Sequence, residues 1–332
     1  MDGISFEQDR KLDVIAIGRI GIDFFPNEYN CPLEETKTFT KSVGGSPANI
    51  AVATSRYGMK TGFIGRVADD AFGRFAIKYL LEKNINTEGL VVDRCDNKMG
   101  LAYVEIVSPK ESNIIMYRAD AVDLKLTMED ISEDYIKNSK VLVVSGTALA
   151  ASPSREAVFL AMKLARKHNT KVFFDIDYRP YTWKSEEETG LYYSLAAEKC
   201  DVIIGTREEF DMLEKIDLPD NKDDKVSADH WFSYNAKIVI VKHGKDGSIA
   251  YLKNGEEKQG EVFPVKPLKT QGAGDSYAGG VISSLIKGKS ITEAMKYGAG
   301  AAAIVVTNNS CSDAMPTEEE ITDFIKNYVK EH

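Results

Sequence analysis

Short apolar segments recur along the whole chain, and each is followed by a segment with a helical pattern. Segments such as VIAIG, VLVVSG and IVIVKHG lack polar alternation, which is typical of strands buried on both faces of a parallel sheet. We predict strands at 13–18, 61–67, 141–146, 171–177, 201–205 and 238–244. We predict helices at 47–57, 72–83, 154–168, 189–199, 275–287 and 292–305. This alternation predicts a doubly wound α/β fold, in which ligands bind beyond the carboxyl ends of the strands.

Two stretches interrupt the alternation, at about 19–43 and 97–122. They contain strand-like pieces, which we interpret as antiparallel strands of a small accessory sheet. Such a sheet would form a lid that excludes water from the crevice, and the alternative is a pair of ordinary edge insertions. We therefore expect a single domain over residues 12–330 with the lid inserted in it, preceded by a disordered lead-in at 1–11.

The composition limits the functional classes. The 51 acidic and 42 basic residues give a net charge of −9, and no basic patch of the kind that binds nucleic acid or a membrane surface is evident. The four cysteines are far apart and the four histidines lack metal-ligand spacing, so we expect free thiols in a reducing, cytoplasmic compartment. No apolar run reaches transmembrane length, and the N-terminus lacks the apolar core of a signal peptide.

The stretch Gly272-Ala273-Gly274-Asp275 carries the clearest chemical signal. Its small residues leave backbone N–H groups free to approach an anion, and the N-terminus of the following helix adds a partial positive charge. An anion cradle beside a carboxylate suits phosphoryl transfer, because the amides hold the developing charge and Asp275 accepts the hydroxyl proton. The structural alternative is a capped helix start, since Gly-rich turns and Asp are common there.

A second glycine motif, GGSPAN at 44–49, opens the first predicted helix. Ser46 suits the N-cap position and Pro47 suits the first turn. The two glycines would let a ligand hydroxyl approach the backbone, and Asn49 lies near the open end of the helix. Taken alone, this motif is better explained as a well-capped helix start than as a binding site.

The two motifs together resemble the two signatures of the ribokinase/pfkB family of carbohydrate kinases, and the resemblance runs from about residue 12 to residue 328. It implies a three-layer α/β sandwich with a central, mostly parallel sheet and a small β-sheet lid. The implied activity is phosphorylation of a sugar hydroxyl by ATP with Mg²⁺. A site for a monovalent cation such as K⁺ would lie near the second signature, with backbone carbonyls as ligands. A homodimer through the lid would cover the edges of the lid sheet.

The resemblance also implies a role for individual residues. The catalytic base is Asp275, and the anion hole is formed by Gly272, Ala273 and Gly274. The positions that hold substrate hydroxyls are Asp23, Gly44, Gly45 and Asn49. The positions near the nucleotide are Thr206, Glu209, Lys242, Gly244, Gly247 and Asn308, and Glu209 would act on the metal indirectly.

Two positions depart from the family pattern. Lys269 stands where the second signature usually opens with Asp, and Thr206 stands in place of the Asn of Asn-x-x-Glu. Neither change removes the base or the anion hole, but both bear on the contacts to metal and phosphate. Lys269 either supplies charge to the triphosphate or is a solvated surface lysine, and we expect the second.

Two arginines bear on the identity of the acceptor. Arg118 ends a lid strand and Arg179 follows a core strand, so both are expected to face the crevice. Because Arg holds carboxylates bidentately, the pair favours a sugar acid over a neutral sugar, although solvated arginines are the alternative. Longer segments such as FDIDYRPYTW resemble the subgroup that converts 5-dehydro-2-deoxygluconate to its 6-phosphate in bacterial myo-inositol catabolism. Kinases of 2-keto-3-deoxygluconate and of fructose remain alternatives.

Two other functional classes receive less support. A sugar sensor on a kinase scaffold would not need to keep a base beside an anion hole. A nicotinamide-dependent oxidoreductase would be compatible with the βα alternation. However, the glycines at 18 and 21 form only GxxG after the first strand, not the GxGxxG fingerprint.

Overall fold

The computed structural model describes residues 3–28, 30–108 and 111–331 of the chain. In chain order, its strands are β1 Leu12–Ile17, β2 Gly21–Pro26, β3 Phe39–Gly44, β4 Thr61–Ala68, β5 Asn86–Asp93, β6 Leu101–Ser108, β7 Glu111–Tyr117, β8 Ser139–Ser145, β9 Lys171–Asp175, β10 Val202–Thr206, β11 Ile238–Lys242, β12 Ser248–Leu252 and β13 Glu257–Gly260. Its α-helices are α1 Ser46–Arg56, α2 Ala71–Glu82, α3 Glu133–Lys137, α4 Ser154–Lys167, α5 Glu186–Ala197, α6 Arg207–Leu213, α7 Asp224–Phe232, α8 Ala273–Ile286, α9 Ile291–Val306 and α10 Glu318–Glu331.

A nine-stranded sheet with the order β13-β12-β11-β10-β9-β8-β1-β4-β5 forms the centre of the molecule. Neighbouring strands are parallel from β5 to β11, and β12 and β13 add to one edge in antiparallel pairing. Alternate side chains of the apolar strands enter two separate cores, one on each face. For example, Val14 and Ile15 of β1 are both completely buried, in different cores.

The helices cover both faces of this sheet. Side chains of α1, α2, α8, α9 and α10 enter one core, and side chains of α3, α4, α5, α6 and α7 enter the other. This arrangement confirms the predicted three-layer sandwich around a mostly parallel sheet. It also brings the first turns of α1 and α8 to the carboxyl ends of the parallel strands, where ligands bind in such folds.

A second sheet of four strands, with the order β3-β2-β6-β7, forms the predicted lid. The pairs β2–β3 and β6–β7 are antiparallel, but β2 and β6 run parallel to each other. The expectation of a purely antiparallel lid is therefore wrong at its centre. The reason lies in the connection, since β2 and β6 are joined through elements of the main sheet, and such a long crossover permits parallel pairing.

Three residues of the lead-in that we expect to be disordered, Ile4, Phe6 and Arg10, instead contact the folded domain. Ile4 is buried in the core, and the ring of Phe6 stacks on Phe173 with 6.4 Å between ring centroids. Nη2 of Arg10 donates to the carbonyl of His168 at 2.6 Å. The burial of two apolar side chains favours this packing over disorder. Residues 1 and 2 of that prediction lie outside the described residues.

Among the described residues, each helix is too short or too polar to span a bilayer.

Candidate active site

Asp275 lies in the first turn of α8, directly behind a glycine turn. Gly272 occupies the N-cap position with a φ of +83°, a left-handed conformation that glycine adopts without strain. The amides of Gly274 and Asp275 belong to the first turn, where an α-helix provides no internal acceptor and its dipole favours an anion. The carboxylate of Asp275 is buried beside this turn. The motif therefore combines a carboxylate with available backbone donors.

The two glycine motifs meet at this carboxylate. Asn49, in the first turn of α1, donates from Nδ2 to Oδ2 of Asp275 at 2.7 Å. The expectation that Ser46 is the N-cap of α1 is wrong, because Gly45 occupies that position with a φ of +104°. The hydroxyl of Ser46 instead donates to Oδ2 of Asp175 at 3.1 Å. The 44–49 motif thus supplies polar side chains to the site as well as starting a helix.

The environment of Asp275 suits a general base. Burial raises the pKa of its carboxyl to about 6, and the negative charge of Asp177 acts in the same direction. The hydrogen bond from Asn49 and the charge of Arg179 act in the opposite direction and favour the carboxylate. A base with a pKa slightly below neutrality is ionised at pH 7 and still accepts a proton effectively.

Further carboxylates surround a partly buried lysine at the ends of β9 and β11. Nζ of Lys242 lies 3.8 Å from Oδ1 of Asp175 and 4.0 Å from Oε2 of Glu209. Burial raises the pKa of Asp175 to about 7, and the positive charge of Lys242 acts against this increase. For Lys242, burial acts to lower the pKa, but the surrounding carboxylates outweigh it and raise the pKa overall. Lys242 therefore remains a cation in the site.

Thr206, one of the two departures from the family pattern, acts as a helix cap. Thr206 is the N-cap of α6, and its hydroxyl accepts from the N–H of Glu209 at 3.3 Å. In return, the N–H of Thr206 donates to Oε2 of Glu209 at 2.8 Å, which completes a capping box. The N–H of Tyr178 donates to the other carboxylate oxygen of Glu209 at 3.2 Å. Thr206 thus fixes the orientation of Glu209 through the backbone.

On the lid side, Asp23 lies over the first glycine motif. A Cβ at Gly44 would lie only 2.1–2.2 Å from the carboxyl atoms of Asp23, and a Cβ at Gly45 would lie 2.5 Å from the carbonyl of Arg19. Both glycines are therefore required by close approach of their neighbours. Burial raises the pKa of Asp23, and the charges of Arg19 and Lys269 act against that increase.

Three arginines line the crevice with Asp23, Asn49 and Asp275. Arg118 is 5% exposed and donates to Oδ2 of Asp123 from Nε at 2.9 Å and from Nη2 at 2.6 Å. Nη1 of Arg118 and Nε of Arg19 are buried and have no hydrogen-bond partner within the described part of the chain. Arg179 has a side chain that is 44% exposed, and its Nη2 lies 2.7 Å from Oδ1 of Asp177.

The inner face of the lid covers this crevice. Its lining includes Asp23 and Phe25 of β2, Val104 of β6 and Met116 of β7. Because strand side chains alternate, the neighbouring residues of these strands face the opposite side of the lid. The crevice is therefore enclosed between the lid and the first turns of α1 and α8.

All six predicted nucleotide positions lie outside this crevice lining. Gly244 and Gly247 flank the turn after β11 with φ values of +58° and +94°. Asn308 follows α9, is exposed, and donates from Nδ2 to the carbonyl of Ile304 at 2.9 Å. Their nucleotide roles stay predictions.

Lys269 differs from its sequence-based expectation. Instead of being a solvated surface residue it is only 2% exposed, and Nζ donates to the carbonyl of Gln271 at 2.6 Å. Sequence reasoning also missed Arg19, Asp175 and Asp177 as residues of the site. The segment DIDYR, directly after an apolar run, carried a signal for the two aspartates, but Arg19 had none beyond its position after β1.

Comparison with known proteins places these features in a family. The sequence pattern that defines the family described as pfkB family carbohydrate kinase matches residues 11–318 of the chain. The chain is 58% identical over 328 residues to a protein of Geobacillus kaustophilus (strain HTA426) named 5-dehydro-2-deoxygluconokinase, covering 99% of this chain and 98% of that protein.

Solved structures show the same fold at lower identity. A putative ribokinase II from E. coli in complex with ATP and Mg²⁺ superposes with a TM-score of 0.85 at 22% identity, covering 95% of this chain and 99% of that one. A fructokinase double mutant from Vibrio cholerae O395, with fructose, ADP and potassium bound, superposes with a TM-score of 0.83 at 24% identity, covering 96% of this chain and 100% of that one.

Proposed function

The chain belongs to the pfkB family of carbohydrate kinases, and we propose that it transfers the γ-phosphoryl group of ATP to the 6-hydroxyl of 5-dehydro-2-deoxygluconate. A carbohydrate kinase needs a base beside an anion-binding turn. The hydrogen bond between Asn49 and Asp275 at the start of α8 is the observation that carries the proposal. The near full-length relatives named for this reaction support the acid as acceptor over fructose or 2-keto-3-deoxygluconate.

In this mechanism, Asp275 accepts the proton of the primary hydroxyl as that oxygen attacks the γ-phosphorus. Asn49 holds one carboxylate oxygen of Asp275, so that the other is left for the hydroxyl. The amides of the 272–275 turn and the dipole of α8 stabilise the charge that develops on the transferred group. The lid excludes water that would otherwise compete as the acceptor.

Mg²⁺, when bound, neutralises charge on the phosphates. The described residues contain no group of three or more His, Cys, Asp or Glu side chains arranged as a preformed metal site. They do fit a hydrated Mg²⁺, which binds proteins through one or two carboxylates and takes its other ligands from phosphates and water. Oδ1 of Asp175 is buried without a hydrogen-bond partner among the described residues. Glu209 would bind through water, because both its oxygens accept backbone N–H groups.

The nucleotide would lie along the ends of β10 and β11. Lys242 places a partly buried positive charge between Asp175 and Glu209, where a phosphate chain with its metal can be held. The open turn at Gly244 and Gly247 leaves room for the nucleotide, since no described atom lies within 4 Å of a Cβ at Gly244. Asn308 remains our candidate for a contact to the adenine.

The arginines of the crevice support an acidic acceptor. Arg118 and Arg19 each already face a carboxylate of the protein, yet each keeps one buried N–H without a partner among the described residues. An unpaired buried guanidinium donor is costly, and a carboxylate of the substrate would satisfy it. Arg179 would add charge at the more exposed end of the crevice.

The decisive experiment is a substrate screen with the purified chain, ATP and Mg²⁺, in which the products are identified by mass spectrometry. We expect a singly phosphorylated 5-dehydro-2-deoxygluconate, formed with a kcat/KM at least about tenfold above those for 2-keto-3-deoxygluconate and fructose. Preferred phosphorylation of fructose would refute 5-dehydro-2-deoxygluconate as the acceptor. Sugar binding without ADP release would instead support a sensor.

A matched pair of variants tests the recognition of the carboxylate. Arg118→Ala and Arg179→Ala should each lose more kcat/KM on the acid than on a neutral analogue, because only the acid loses an ion pair. Equal losses on the two substrates would show that these arginines do not bind the carboxylate.

We also propose that two chains associate through the lid. The outer face of β7 presents Ile115, 46% exposed, and Tyr117, 63% exposed, beside the ring of Tyr103 on β6. Apolar side chains on an edge strand favour association with another copy. Light scattering should give a dimer mass for the wild type and a monomer mass for Tyr117→Glu. A monomeric wild type would refute this association.

A further inference from the structure

Lys269 is a buried cation at the entrance to the anion-hole turn. Its backbone N–H and that of Leu268 both donate to the carbonyl of Val306 at the end of α9, at 3.3 and 2.8 Å. Its Nζ donates to the carbonyl of Gln271 at 2.6 Å. The side chain therefore lies between the negative end of the α9 dipole and the turn that starts α8.

The surroundings of this ammonium group are acidic. Burial lowers the pKa of Lys269, and the charges of Asp275 and Asp23 act against this decrease. The two carboxylates come from different segments: Asp23 from the lid strand β2 and Asp275 from α8. The neutral thiol of Cys311, in the loop between α9 and α10, also lies nearby, and burial raises its pKa to about 12. Burying an ammonium group carries a large desolvation cost unless its interactions compensate, so a lysine at this depth calls for a specific role.

The contact with Gln271 acts on the anion hole directly. The carbonyl of Gln271 and the N–H of Gly272 belong to the same planar, trans peptide, in which the two groups point in opposite directions. By holding the carbonyl, Lys269 also sets the direction of the Gly272 N–H. The side chain of Gln271 donates from Nε2 to Oγ of Ser112 on the lid strand β7 at 2.8 Å, so the same residue also contacts the lid.

An ammonium group held by a backbone carbonyl is chemically close to a bound alkali cation, since both are compact monovalent charges that attract carbonyl oxygens. We propose that Nζ of Lys269 is a built-in monovalent cation that positions the anion-hole turn, so that this kinase needs no added K⁺. The K⁺ site that the family resemblance implies near this signature therefore does not fit the chain. The lysine already binds the carbonyl of Gln271 and supplies the charge. Lys269 is thus a positioning residue.

The first test uses the wild-type chain and rests on the proposed kinase function. Turnover of the sugar acid is measured in chloride salts of K⁺, Na⁺, ammonium and tetramethylammonium at constant ionic strength, together with the Tm in each salt. We expect kcat to vary less than about twofold and the Tm to show no K⁺-specific increase. A tenfold activation by K⁺, or a K⁺-specific increase in Tm, would overturn the inference. Absence of turnover in every salt would instead refute the kinase proposal. The Tm values in the four salts would still show whether the chain binds K⁺ specifically.

The second test uses Lys269→Ala. We expect kcat to fall by about 10- to 100-fold with a smaller change in KM, because the amides act mainly in the transition state. Ammonium or K⁺ should restore part of kcat, whereas tetramethylammonium, which is too large for the vacated space, should not. Lys266→Ala, at an exposed lysine in the same segment, is the control and should behave like the wild type. A folded Lys269→Ala variant with unchanged kcat, or one that ammonium and K⁺ do not rescue, would contradict the role of Lys269 as a built-in cation.

Discussion

Asn49 donates a hydrogen bond to the carboxylate of Asp275 at 2.7 Å, although the two residues are 226 positions apart in the chain. Each residue lies in the first turn of its helix, and α1 packs against α8 through the interior of the molecule. The contact therefore joins the 44–49 motif, which we propose binds the substrate, to the 272–275 motif, which we propose supplies the base and the anion hole. Changes on either side should alter both the orientation and the pKa of Asp275.

The first prediction concerns Asn49→Ala. The hydrogen bond from Asn49 favours the carboxylate, so its loss should raise the pKa of Asp275 above about 6. We expect kcat/KM to fall by about 10- to 100-fold, and the acid limb of its pH profile to move to higher pH, because the base must be ionised. Asn254→Ala, in an exposed turn, is the control. An unmoved acid limb would show that Asn49 does not tune the base.

The second prediction concerns Gly44→Ala. The added Cβ would collide with the carboxyl of Asp23 and displace it, at a cost of about 1–3 kcal/mol in stability. We expect KM for the sugar acid to rise by about tenfold or more, while KM for ATP changes little. At Gly100, also next to the lid, a Cβ would make ordinary contacts at 3.5 Å, so Gly100→Ala is the matched control. An unaltered KM in Gly44→Ala would argue against Asp23 as a substrate contact.

The third prediction concerns the stability cost of the base. The pKa of Asp275 is raised on folding, so the folded state keeps this proton to higher pH, and its stability falls as pH rises towards about 6. Asp275→Asn removes this dependence and should be more stable than the wild type at pH 8 by roughly 1–3 kcal/mol. The difference in stability between Asp275→Asn and the wild type should become smaller as the pH is lowered to 5. Denaturant unfolding at pH 8 and pH 5 measures this difference in the free energy of unfolding. Asp246→Asn, on an exposed turn, is the control and should be no more stable than the wild type.

The fourth prediction concerns Lys242→Met. Removal of this charge leaves Asp175 and Glu209 without their shared cation and raises the pKa of Asp175 further above about 7. We expect KM for ATP to rise by about tenfold or more. Stability should fall by about 1–3 kcal/mol, because contacts at 3.8 and 4.0 Å to a partly buried lysine are weaker than a fully buried ion pair. Lys289→Met, at an exposed lysine outside the proposed nucleotide turn, controls for general effects. If KM for ATP and KM for the sugar acid changed equally, a specific role of Lys242 in nucleotide binding would be contradicted.

The central strands and the two glycine motifs could be predicted from the sequence, because strands buried on both faces require continuous apolar runs. The edge strand β13, with the sequence EKQG, was missed since only pairing with β12 makes it a strand. The parallel pairing of β2 with β6 was missed for a similar reason. Their pairing depends on how the two layers stack, which local sequence does not encode.

Within the site, the residue types were predicted more readily than their environment. Asp177 adopts a φ of +40°, and this unusual conformation directs its carboxylate to Arg179. The sequence does not reveal such a conformation in a non-glycine residue. Lys269 was expected at the surface because lysines are rarely buried, and only the packing of α8, α9 and the lid around it shows otherwise.

The role of Asp275 as the base is the central claim, and the kcat of Asp275→Asn with saturating ATP and sugar acid tests it most directly. Asparagine has nearly the same shape but cannot accept the hydroxyl proton. We expect kcat to fall by about two to four orders of magnitude while the Kd for the sugar acid stays within about threefold of the wild type. A folded Asp275→Asn enzyme with a kcat close to that of the wild type would contradict the account.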